Sequence, residues 1–268
     1  MGEHAPSTMP RNASKSTPEP VAAGRSEDGH RPASRAAAPS DSTVRPHRIP
    51  RFLRPAVDAG LALTYLMQML PGPVGNPVHE LCGLVFVALF IAHHVLNRGW
   101  LSRLGRQHSL RTRVTLASDV VLTVCVLLTV LAGVAMSRSV LPLLAQPQLA
   151  HVARPLHGAS AYLGLMAVSL HVGLHLRVIG AYAGLRVTRE PRRALAWVLL
   201  AVAVALGLIA ALHLDVPAKL TGQPGFPDAM TPWPQQLAWH LALAAPFLAI
   251  GALLSTQGAK PRERSSQR

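Results

Sequence analysis

The chain has 268 residues, half of them hydrophobic and only 14% charged, with a formal net charge of +14. Nearly all of the charge lies outside long apolar runs of bilayer length, which excludes an ordinary soluble domain and predicts an all-α, polytopic membrane bundle. The basic excess does not indicate nucleic acid, because Lys and Arg fall in short clusters between the runs and only 4% of residues are aromatic.

Residues 1–50 are rich in Pro, Ser, Ala and Arg without apolar periodicity, so a disordered tail is expected there. The tail is too long and polar to be the front of a signal peptide. No small-residue cleavage site follows the first apolar run, so that run is expected to stay in the mature protein. Six apolar spans follow, at about 54–71, 78–97, 112–136, 152–178, 193–213 and 234–255, the first of them short. They form a bundle over 51–256, ahead of a cytoplasmic tail at 257–268. Pro71, Gly72, Pro73 and Pro77 break the chain before the second span, and Pro142, Pro147 and Pro155 break it before the fourth. Cys82 and Cys125 lie inside spans with no CxxC or CxxCH pattern, which argues against a disulfide framework, a zinc site and covalently attached haem.

Orientation follows from the basic residues at the span ends. Eighteen fall on one side, in clusters around Arg45–Arg54, Arg98–Arg113, Arg177–Arg193 and Lys260–Arg268, against Arg138, Arg154 and Lys219 on the other. The positive-inside rule then places both termini in the cytoplasm of a multi-pass protein of the cell membrane. Trp100, Trp197 and Trp233 fall near span ends, where aromatic belts form.

The second span carries His79 and His93 at its two ends, and the fourth carries His157 and His171 with the same 14-residue separation. At about 1.5 Å and 100° per residue, 14 steps rise about 21 Å and return to within about 40° of the starting face. The two spans run parallel, so His79 and His157 share the outer level and His93 and His171 the inner level. Each pair can supply both axial ligands of one non-covalent b-type haem. The plain alternative is that these histidines only bond between helices, but intramembrane histidines are costly and usually functional.

Gly83 lies one turn below His79; Ala161 and Gly164 lie one and two turns below His157. Small residues there admit a flat plate, although they also serve plain helix packing. His94 is about 60° off the His79 face, so His93 is preferred as the inner ligand. His175, a turn beyond His171, either bonds a haem propionate or quinone or caps the interface. Arg177, Arg98 and Asn97 are candidates for inner propionates and Arg154 and Arg138 for outer ones, with ordinary interfacial roles as the alternative. Asp119, about two turns inside the third span, is expected to pair with an arginine rather than to serve a proton or quinone route. His151, His213 and His240 share no repeated spacing and are not expected to be ligands.

The motifs His79-Glu-x-x-Gly, His93-x-x-Leu-Asn97-x-x-Trp100, Gly133-x-x-x-Ser137, Leu156-His157 and Leu170-His171-x-Gly-Leu-His175 together resemble the flavinylation-associated cytochromes, membrane proteins of the dihaem cytochrome b type. The resemblance covers about 56–178 and fades through spans five and six. It implies a four-helix dihaem core, bis-histidine b haems at these positions and electron transfer through the membrane. It also implies an extracytoplasmic flavin-carrying partner. In that family the histidine four before the Asn is the expected ligand, which agrees with His93. The long basic tail departs from the pattern, and the chain has no flavin attachment motif of its own.

The expected function is therefore an electron-transfer component, relaying electrons from quinol or another cytoplasmic-side donor to the outer partner. A histidine-lined metal or ion transporter is the alternative. It calls for ligands converging at mid-membrane, whereas these histidines lie at two separated levels. A non-redox membrane anchor is the third reading.

Overall fold

The structure, a computed structural model, describes Pro50 and residues 52–70, 75–103, 110–182, 193–223 and 231–256. The tails expected at 1–50 (Pro50 apart) and 257–268, and the arginines at 186, 189 and 192, lie outside the described residues.

The described residues form helices and no strand: α1 Leu53–Gln68, α2 Asn76–Leu96, α3 Leu110–Ala135, α4 Ala150–Tyr182, α5 Arg193–His213, α6 Val216–Leu220 and α7 Trp233–Thr256. Each long helix occupies an apolar run and ends where Gly, Pro or charge interrupts it. Gly75, at φ 76°, turns the chain into α2, and Pro77 in its first turn lacks only a donor the helix could not use. The link from α3 to α4 tightens into two short 3-10 turns that begin at Pro142 and Pro147, whereas Pro155, expected to break the chain before the fourth span, lies inside α4, in its second turn.

Five helices, α2 to α5 and α7, are long and apolar enough to cross a bilayer. The sixth expected span is α1, whose 16 residues rise about 24 Å, short of the roughly 30 Å hydrocarbon core. Ile91, Val95, Leu131, Val198, Leu208 and Leu212 face outward, the last 76% exposed. Water would not tolerate so continuous an apolar surface, and lipid does.

Helix α1 packs on α2, α3 on α4, and α7 on both α4 and α5; α6 lies against α4, while α2 meets α3 at few points. The core joins Tyr65, Phe86, Val126, Leu165, Ala210 and Leu243. Glycine lets two helix pairs approach closely. A Cβ on Gly173 would lie 2.9 Å from the Ala252 nitrogen and the Gly251 Cα, and one on Gly251 would lie 2.8 Å from the Leu174 nitrogen. The α4 and α7 backbones therefore touch, a close-packed seam of the kind small residues permit within membranes. At α5, a Cβ on Gly207 would lie 2.7 Å from the Pro246 ring of α7.

Gly173→Leu or Gly251→Leu should force this seam apart, at a cost of about 3 kcal/mol and with the thermal midpoint in detergent lowered by about 6–12 °C. Gly158→Ala, where an added Cβ meets nothing within 4 Å, should not lower the midpoint and, inside a helix, should raise it slightly.

Candidate cofactor site between α2 and α4

A cavity of about 710 Å³ opens where α2 and α4 begin, within the range of small-molecule and cofactor sites. His79 and His157 both line it, with ring centroids 6.1 Å apart and planes at 67°. Two imidazoles opposed across one metal, at bonds of about 2.0–2.1 Å and with about 1.1 Å from nitrogen to ring centre, have centroids about 6.3 Å apart. The spacing in the protein therefore suits a single metal centre between the rings.

The chemistry of each ring is set by what surrounds it. His157 Nδ1 lies 2.8 Å from the Thr129 carbonyl of α3. A carbonyl only accepts, so Nδ1 carries the proton and Nε2 keeps its lone pair for a metal. Gly133 makes room for this ring, since a Cβ there would lie 3.2 Å from His157 Cε1. The Nδ1 of His79 is buried without a protein partner, as are Gln68 Oε1 and Trp239 Nε1, and all three residues line the cavity. Unsatisfied buried polar atoms are costly, so three of them in residues around one cavity stand out.

His79 is placed by its neighbour Glu80. This carboxylate accepts hydrogen bonds from the backbone nitrogens of Arg138 (2.9 Å), Ser139 (3.0 Å) and Val140 (2.7 Å), from Ser137 Oγ (2.7 Å) and from Asn76 Nδ2 (2.8 Å). The start of α2 is thereby tied to the loop that follows α3. Glu80, Gly133 and Ser137 belong to the sequence motifs, which carried no role for them; the structure gives each a contact that shapes the site.

The far wall of the cavity comes from α5, α6 and α7. Lys219 donates to the Tyr162 hydroxyl at 3.3 Å and to the Leu214 carbonyl, and its ammonium lies 4.9 Å above the Tyr162 ring. Burial lowers the Lys219 pKa, an effect that the nearby Asp215 opposes. The Tyr162 hydroxyl in turn faces His240 Nε2 at 3.3 Å, and His240 Nδ1 donates to the Gln236 carbonyl at 2.7 Å. Among the described residues lining the cavity, Arg154 and Lys219 are the two that are Lys or Arg.

At the opposite end of the bundle, His93 Nδ1 lies 2.7 Å from Asp58 Oδ1 of α1, and His171 Nδ1 lies 2.8 Å from Asp119 Oδ1 of α3. Each imidazole is thus held by a carboxylate from the antiparallel neighbour. The arginine expected to partner Asp119 is replaced by His171, because antiparallel packing of α3 on α4 brings those two residues level. His93 and His171 make no ring contact with each other among the described residues. The His175 ring lies tilted by 46° and 4.6 Å from that of His171, and Asp119, His171 and His175 bring one potential ligand atom each within 4.8 Å of one another.

Of the remaining expected residues, Gly83 lines the cavity, facing Gln68 at 3.1 Å from its would-be Cβ. Gly164 instead faces the Tyr65 hydroxyl, which donates to the Ala161 carbonyl at 2.8 Å. Arg177 and Arg98 are exposed. Asn97 donates to the His93 carbonyl at 3.0 Å, and His94 Nδ1 to the Phe90 carbonyl at 2.9 Å. His151 is exposed with its Nδ1 on the Gln148 carbonyl, and His213 stacks on Trp239 beside the cavity. Sequence reasoning missed Asp58, Thr129, Lys219 and Tyr162. The available signal for Asp58 was a carboxylate inside the first apolar run.

In protein labelled with 15N-histidine, His157 should show the Nδ1-protonated neutral tautomer. Gly133→Leu, which drives a side chain into the ring, should abolish that signal and cost about 2–4 kcal/mol, from overpacking together with the lost hydrogen bond.

No protein-family model, curated protein or solved structure matches the chain, so the reading of the site stands on its own residues.

Proposed function

We propose that the chain is an integral membrane dihaem b-type cytochrome that relays electrons across the bilayer, related to the flavinylation-associated cytochromes its motifs resemble. The observation that carries this reading is the approach of the His79 and His157 rings to 6.1 Å within one cavity. A haem between them supplies one-electron redox chemistry, and the protein's part is to hold and tune it. His79 and His157 would hold it through their ring nitrogens, the Thr129 carbonyl fixes the His157 tautomer, and Gly83 and Gly133 leave space beside the two rings. Arg154 and Lys219 provide two positive charges for the acidic edge of the group.

His93 and His171 are proposed as the second ligand pair on the chemistry of the donors. Each engages a carboxylate through Nδ1 and so presents Nε2, the arrangement metal-ligating histidines adopt. With α1 counted as a sixth crossing, both termini are cytoplasmic and the His79–His157 level faces outward, toward a flavin-carrying partner; quinol is the donor proposed on the other side. A second reading, a cation-handling membrane protein, draws on the grouping of Asp119, His171 and His175.

The purified protein should show a redox-responsive b-type spectrum from two haems that acidified organic solvent extracts. His79→Ala and His157→Ala should damage one and the same redox component, and His93→Ala and His171→Ala the other. No pigment after haem-replete expression, together with stoichiometric binding of a divalent cation, would favour the second reading. For the topology, cysteine labelling of intact cells should reach Gly225→Cys but not Gly105→Cys.

A further inference from the structure

Among the described residues, Glu80, Arg154, Asp215 and Lys219 are the Asp, Glu, Lys and Arg side chains that line the His79–His157 cavity, and they are not equivalent. Arg154 and Asp215 are exposed, so water screens their charges. The Glu80 carboxylate is spread over hydrogen bonds from the loop after α3 and from Asn76. Lys219 is partly buried, and its partners are neutral: the Leu214 carbonyl, the Tyr162 hydroxyl at 3.3 Å, and the Tyr162 ring, 4.9 Å from the ammonium. It makes no ion pair among the described residues, and Asp215, four residues earlier, attracts it only through space.

Three helices fix that ammonium. His240 of α7, 4% exposed, gives its Nδ1 proton to the Gln236 carbonyl, so its Nε2 accepts and the Tyr162 hydroxyl, 3.3 Å away, donates. With its proton directed at His240, the Tyr162 oxygen presents a lone pair to Lys219 of α6. Tyr162 stands five residues after His157 on α4, a rise of about 7.5 Å. The chain of bonds therefore holds one positive charge on the wall of the cavity that both imidazoles line.

We propose that Lys219 sets the redox potential of the centre held by His79 and His157, its fixed charge raising that potential by stabilising the reduced state. This deepens the haem reading above and rests on it. Reduction adds one electron, hence one negative charge, to the group between the two imidazoles. In a partly desolvated cavity a cation already in place lowers the energy of that charge, and the attraction is several times stronger than in water. Burial and the surrounding charges and hydrogen bonds are the protein's levers on such a potential. The sign is the same whatever else the ammonium touches. Facing the iron alone, it attracts the added electron; paired with the acidic edge of the group, it cancels a negative charge that would repel that electron. Lys219 itself neither gives nor takes an electron, and no covalent bond changes.

The test is a potentiometric titration, at neutral pH, of membranes carrying the full-length protein and the single variants Lys219→Met, Lys219→Gln, Lys219→Arg and Arg154→Gln. Methionine and glutamine remove the charge of Lys219, and arginine keeps it. The readout is the component that His79→Ala or His157→Ala damages. Both neutral variants should lower its reduced-to-oxidised ratio at fixed potential by about threefold to tenfold, tenfold being about 59 mV for one electron. Lys219→Arg should titrate close to wild type. Arg154→Gln, which removes an exposed and screened charge from the same cavity, should lower the ratio less. The component that answers to His93 and His171 should not move. Two neutral variants are measured so that failure of one to insert leaves the other decisive.

An unmoved or raised component in the neutral variants would overturn the inference and leave the haem reading intact. So would an equal fall in Lys219→Arg, an equal fall in Arg154→Gln, or equal movement of both components. A wild type with no haem component that His79→Ala and His157→Ala damage would overturn both.

Discussion

The position of His79 depends on one buttressed carboxylate. Helix α2 packs on α1 but has little direct contact with α3, so side-chain packing alone does not fix its start relative to α4. Glu80 supplies that constraint through three backbone nitrogens, a hydroxyl and an amide, four of which lie in the loop after α3. Consecutive backbone nitrogens converging on one anion form a concave nest that a neutral side chain would fill poorly. Because the loop continues from α3, whose Thr129 and Gly133 hold the His157 ring, the two imidazoles are referred to the same element. Their 6.1 Å separation follows from a shared frame rather than from contact between their own helices.

The helices were legible because apolar runs and their proline and glycine breaks are local signals. Each long helix begins and ends within a few residues of its run. The parallel course of α2 and α4, and the meeting of His79 with His157, followed from counting spans and from a separation that returns to one helix face. What the chain could not disclose was lateral. Gly164 was expected, with Gly83, to admit a flat plate, yet Tyr65 from α1 occupies the space beside it, and only the packing of α1 reveals this. Asp58 sits close to Arg54 at the edge of its run, where a carboxylate reads as interfacial until His93 is seen beside it. Lys219 and Tyr162 belong to segments 57 residues apart, and nothing in either segment announces the other.

The site is also asymmetric in its walls. One side of the His79–His157 cavity is built by α1 to α4, the stretch in which the family resemblance resides. The other is closed by α5, α6 and α7, where the resemblance fades, through Lys219, His240 and Trp239. The imidazole pair therefore belongs to the part of the chain that carries the sequence motifs, and the far wall of the pocket belongs to the part without them. The two imidazoles and the wall that faces them are thus encoded in separate stretches of the chain, consistent with folds in which a fixed scaffold carries variable periphery.

Helix α4 carries His157 and His171 on one rod, and it is gripped near both. Thr129 and Ser160 bond hydroxyl to hydroxyl at 2.7 Å beside His157, and the bare backbones at Gly173 and Gly251 meet beside His171. A helix held at a single point can spin about its axis, and one residue of register error swings every side chain by about 100°. Two grips about 13 residues, or roughly 20 Å, apart remove that freedom. The rod then behaves as a keyed shaft: any torque applied at one histidine is resisted at the other, so the angular relation of the two imidazoles is a property of the backbone and needs no cofactor to impose it.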